Sequence, residues 1–139
     1  MTVLNRPVLL LTLACLAPLA HAGDERLDLR FTPDERAVFL KDMRAMLGSV
    51  RDVLRGIGSG DRALIAEAAR RSGNRMSRAT PTAIRAKLPD AFRALGGPTH
   101  LAFEELAIRA QTDEMDSLAR DTAELMNQCM ACHAAFRVQ

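Results

Sequence analysis

The sequence predicts an all-α protein, an antiparallel up-down-up-down four-helix bundle. Three observations carry that prediction. Ala and Leu are frequent, Val and Ile are sparse, Trp and Tyr are absent, and only five Phe supply aromatic area. This composition favours helix over a β-sandwich or barrel. Apolar residues recur at spacings of three and four through most of the chain, the period of an amphipathic helix. The links between these stretches are short, as they are between antiparallel neighbours in a bundle. At 139 residues the chain has the length of one domain. Its 19 basic and 17 acidic side chains nearly balance, which excludes nucleic-acid binding through a strongly basic surface.

The first 22 residues stand apart from this pattern. Met1 to Pro7 carries one positive charge, Arg6, and Val8 to Leu19 is apolar. Ala20-His21-Ala22 gives a small-x-small site, followed by Gly23 and the charged run Asp24-Glu25-Arg26. This is the plan of a secretory signal peptide, cleaved after Ala22. The apolar stretch falls short of the roughly 20 residues that span a bilayer. Lipidation of Cys15 would want a Leu three positions upstream, where Thr12 stands. The expected mature domain is residues 23–139, in the periplasm, with two cysteines, Cys129 and Cys132.

Thr32-Pro33-Asp34-Glu35 predicts the start of the first helix: Thr32 as N-cap, Pro33 at the first helical position, acidic side chains at the positive end of the dipole. Phe39, Met43, Met46, Val50, Val53 and Ile57 form its inward row, and Leu40, Met43, Leu47, Val50, Leu54 and Ile57 an overlapping one. The glycines from Gly56 to Gly60 end it. Asp61 caps a second helix over about 62–79, weakened at Gly73 and stopped by Thr80-Pro81. Residues 83–95 read as an irregular helical connection broken at Pro89. Gly96-Gly97-Pro98 punctuates again, so the third helix is expected over about 99–110. Thr112 and Asp113 offer a cap for the last helix, expected to reach about Arg137. Its inward row of Met115, Leu118, Thr122, Leu125, Cys129, Cys132 and Phe136 keeps a heptad register to the end.

Cys129-Met130-Ala131-Cys132-His133 is a C-x-x-C-H motif, the attachment signature of c-type haem. Two thiols at this spacing on a helix can add across the two vinyl groups at one edge of a porphyrin. The next residue then offers an imidazole to the iron. Thiol-disulfide exchange prefers its attacking cysteine at a helix N-terminus, and here the motif closes a helix. A zinc site lacks a fourth ligand unless His100 supplies it. A disulfide within one helical turn is strained. The motif occurs once, so one covalent haem is expected.

An exported helical bundle ending in Cys-Met-Ala-Cys-His-Ala-Ala-Phe-Arg resembles the class II c-type cytochromes, cytochrome c′ and its low-spin relatives. The resemblance covers residues 23–139 in architecture and is sharp only over Cys129 to Arg137. It implies His133 as proximal iron ligand, Arg137 close to that histidine, and a distal side supplied by the first helix. The usual Tyr-Arg pair early in that helix is Glu35-Arg36 here, and Leu40 stands where an apolar distal residue would. Met43, where the two apolar rows cross, is the expected sixth ligand, because thioether ligation suits an electron carrier. The expected function is electron transfer with a periplasmic or membrane-bound redox protein, without enzymatic activity. The alternative is a five-coordinate haem protein that binds NO or CO. A homodimer is left open.

Other chemistry-bearing residues receive simpler readings. His100 reads as a surface or capping residue, and Met76, Met115, Met126 and Met130 as core or gap-filling residues. Glu104-Glu105 reads as a solvated face and Asp113-Glu114 as a helix start. Arg70, Arg71, Arg75 and Arg78 form a solvated basic face on the second helix.

Overall fold

A computed structural model describes residues 23–139; the signal-peptide reading of residues 1–22 lies outside the described residues. The described residues are mostly helical, as expected. They form β1 (Leu27–Asp28), α1 (Pro33–Ser59), α2 (Arg62–Ser72), α3 (Asn74–Ala79), α4 (Thr82–Lys87), α5 (Asp90–Arg109), α6 (Met115–Ala135) and β2 (Phe136–Arg137). Among the four long helices, α1 packs on α2, α2 on α5, α5 on α6, and α6 on α1.

The predicted signals act where they stand around α1. The Thr32 hydroxyl accepts from the Glu35 N–H at 3.3 Å, and the Glu35 carboxylate accepts from the Thr32 N–H at 2.8 Å. This reciprocal capping box satisfies two amide groups at the helix start. Gly60 ends α1 in the left-handed region, φ 69°, a conformation open to glycine at little cost. Asp61 caps α2 by accepting from the Leu64 N–H at 2.9 Å.

Three helix boundaries differ from expectation. Gly73 splits the predicted second helix into α2 and α3. The Glu104 carboxylate, expected in solvent, accepts from the Asn74 N–H at 3.1 Å and caps α3 from α5. The third helix begins not near Thr99 but at Asp90, and runs through Gly96-Gly97-Pro98 without a break. Pro98 removes one N–H from the ladder. Against that loss, the single helix buries Phe92, Thr99, Phe103, Leu106 and Ala107 together. The Thr99 hydroxyl also donates to the Leu95 carbonyl at 2.8 Å beside the proline. The last helix starts at Met115 after Glu114, whose side chain makes no cap bond, and stops at Ala135. Phe136 and Arg137 turn into β2, which pairs in parallel with Leu27 and Asp28.

Two cores result. The larger holds Val50, Val53, Ile65, Phe103, Leu106, Leu118 and Leu125 with small alanines of α2 and α5. Inside it the Ser72 hydroxyl donates to that of Ser49 at 2.8 Å, so two buried polar groups on α2 and α1 satisfy each other. The smaller core gathers Leu29, Phe31, Ile84, Leu88, Phe92 and Phe136. Its rings stack in sequence, Phe31–Phe39–Phe92–Phe136, with centroids 5.0, 5.8 and 5.3 Å apart. Such tilted and edge-on pairs are favoured by the ring quadrupole.

Candidate functional site

The C-x-x-C-H motif lies in the last two turns of α6. Cys129 packs against the larger core and Cys132 against the smaller. The helical offset of three residues thus points both thiols inward, at the junction between the cores. Both are free cysteines. Burial pushes each thiol above its ordinary pKa, and for Cys132 the neighbouring Cys129 adds to the effect. A disulfide-exchange cysteine needs the opposite shift.

Between the cores opens a cavity of about 660 Å³. Cys129, Cys132 and His133 line it from α6, and Phe39, Met43, Met46 and Val50 from α1. The α3–α4 region and the first half of α5 close it with Met76, Ile84, Leu88, Phe92 and His100. The size falls within the range of cofactor pockets, and the lining is dominated by apolar side chains. Two thiols, two imidazoles and several thioethers, Met43 among them, in one apolar cavity form a donor set that fits a covalently attached haem. Among the described residues, no cluster of three or more His, Cys, Asp or Glu side chains is placed to hold a bare metal ion.

The predicted site residues therefore separate. Cys129, Cys132, His133 and Met43 meet in the cavity. Arg137 does not line it: β2 holds its backbone, and its guanidinium reaches Asp24 at 3.5 Å. Leu40 is also absent from the lining, and Phe39, one residue earlier, takes the cavity side of α1.

Several cavity residues carried other readings in the sequence. Met126 and Met130 are exposed and lie at the cavity wall, not in the core. Arg78 stays exposed with Arg70 and Arg75, as the solvated basic face requires, and also lines the cavity. Arg71 is exposed as well and pairs with the buried Asp52 at 2.6 Å. His100, expected at a helix start, lies inside α5 and bonds the end of another helix. Its Nδ1 lies 2.7 Å from the carbonyl oxygen of Ser72, at the end of α2, while the same residue lines the cavity. With Nδ1 as donor, this bond satisfies an orphan helix carbonyl and leaves Nε2 as an acceptor. Nothing in the local sequence signals the arrangement, because donor and acceptor stand 28 residues apart.

Comparison with protein-family models, with curated proteins and with solved structures finds no match to this chain.

Proposed function

We propose that the protein is an exported c-type cytochrome, a four-helix bundle that carries one covalent haem and transfers electrons to a periplasmic or membrane-bound redox protein. The observation that carries this reading is an apolar cavity lined by both thiols of the C-x-x-C-H motif, its histidine and Met43. Cys129 and Cys132 hold the cofactor through thioether bonds, so it stays with the chain outside the cell. His133 and Met43 would ligate the iron of such a haem. When bound, the haem supplies one-electron exchange between ferric and ferrous iron. The chain's own part is to keep that centre dry and to set its charge environment. Val50, Phe39, Ile84, Leu88 and Phe92 give the cavity its apolar walls.

The experiment is expression of the full chain with haem-maturation machinery, followed by intact mass and absorption spectra. The expected mass is that of residues 23–139 plus one haem. The expected oxidised spectrum is low spin, and Met43→Ala converts it to high spin. A wild-type protein without covalent haem overturns the reading. A high-spin wild type removes Met43 as ligand and moves the function to binding of NO or CO.

A further inference from the structure

The cavity is apolar, yet four ionised side chains line it, Asp42 on α1, Arg78 on α3, Arg85 on α4 and Arg93 on α5, together with two titratable imidazoles, His100 on α5 and His133 on α6. Three guanidiniums against one carboxylate leave a surplus of two positive charges. Two of the guanidiniums and the backbone bind these residues to one another. Arg85 Nη2 donates to the carbonyls of Arg78 and Thr80 at 3.1 and 2.9 Å, and Arg93 Nη1 donates to the carbonyl of Arg85 at 3.3 Å. Three residues from three short-range elements are thereby held side by side. Arg93 also pairs with Asp90 at 3.0 Å, whereas Arg78 has no ion-pair or hydrogen-bond partner for its guanidinium among the described residues.

A row of guanidiniums at an apolar cavity is a receptor for a flat apolar body with carboxylates on its edge. Guanidinium binds carboxylate through paired, charge-assisted hydrogen bonds, and it tolerates partial desolvation better than an ammonium group. Resting on the haem reading above, we propose that Arg78, Arg85 and Arg93 form a carboxylate rim that takes the two propionates of the haem and keeps them ionised. The cysteines on α6 fix the vinyl edge, and guanidiniums on other elements receive the propionate edge. The rim then acts on the iron through its field: positive charge near the haem disfavours the ferric state and raises the reduction potential.

The test uses the full chain matured with haem. Haem content of the wild type, from its alkaline-pyridine spectrum, tests the haem reading separately, before any rim variant is compared. The midpoint potential is then followed from about pH 5 to 8 for wild type, for Arg78→Gln, and for the triple variant Arg78→Gln/Arg85→Gln/Arg93→Gln. Arg70→Gln/Arg75→Gln, two exposed arginines outside the cavity lining, serves as the charge control. The wild-type potential is expected to stay flat with pH. In the triple variant it falls overall, and it gains a slope approaching about 59 mV per pH unit, the value for one proton taken up per electron. The sign follows because a propionate released from its guanidinium protonates more readily beside ferrous than beside ferric iron. Arg78→Gln, which removes no bond to the backbone, shows the same change in smaller measure, and Arg78→Lys restores the wild-type curve in part. A triple variant with the potential and flat profile of the Arg70/Arg75 control overturns the proposal. So does a rim variant that weakens association with an acidic partner while the pH profile stays flat. If the triple variant does not fold, Arg78→Gln alone decides: a potential and profile equal to wild type overturn the rim.

Discussion

His133 is exposed on α6 and contributes to the cavity wall, with no hydrogen bond to its ring among the described residues. Its backbone carbonyl accepts from Arg26 Nη1 at 3.3 Å, which ties the end of the motif to the extended N-terminal segment. His133→Ala is expected to leave the haem attached through both thioethers and to change the iron's spin state, read in the oxidised absorption spectrum. Asp52 shows a different residue-scale effect. Hydrogen bonding to Arg51 and the charges of Arg51, Arg55 and Arg71 hold its carboxyl below the ordinary value, against the opposing effect of burial. A carboxylate depressed in the folded state stabilises the fold above its unfolded value, near 3.8, and loses that contribution as pH falls through the folded value. Asp52→Asn should therefore lower the melting temperature at neutral pH. The gap from wild type should close below about pH 3.8, as thermal melts at several pH values would show.

At the scale of elements, α1 and α2 fit closely. A Cβ built on Gly56 would stand 2.6 Å from Ile65 Cγ1 and 3.1 Å from the Asp61 carbonyl oxygen. Only glycine permits that approach, and Ile65 is fully buried in the larger core. Gly56→Ala should destabilise the protein by about 1–3 kcal/mol, the ordinary cost of overpacking, measured by urea unfolding. Phe103 lies 1% exposed in the same core. Phe103→Ala should cost about 3–5 kcal/mol by the same measurement, as the loss of a buried ring usually does. Both helix ends at this turn were legible in the sequence, because Gly60 and the Asp61 cap are local devices, and so was the start of α1 at Thr32. The continuity of α5 was not. Gly96-Gly97-Pro98 is a strong local stop signal, and it is overruled by apolar contacts that residues on both sides of it make with other helices.

For the whole molecule, the cavity separates the larger core from the smaller, and each cysteine belongs to a different one. A haem in that space would join the two cores into one. Cys129→Ala together with Cys132→Ala should remove the covalent haem and lower both the melting temperature and the cooperativity of the melt. The haem-free chain should also bind the dye ANS through exposed apolar surface. Calorimetry and dye fluorescence check this, and a sharp melt at the wild-type temperature would remove haem from the centre of the fold. The parallel pairing of β1 with β2 adds a link between the two ends of the described chain, beside the site.

Helical class, the main caps and the inward-facing spacing of the C-x-x-C-H motif were determined by the sequence alone. Each depends on residue type and spacing within a turn or two of helix, where covalent geometry fixes which side chains share a face. Tertiary structure alone decided that Phe39 replaces Leu40 at the cavity, that Arg137 turns to Asp24, and that His100 bonds the end of α2. It also decided that Arg78, Arg85 and Arg93 stand together. These outcomes depend on how helices rotate and where the chain reverses. Those rotations are set by burying apolar area summed over many distant residues, and no local pattern encodes that sum.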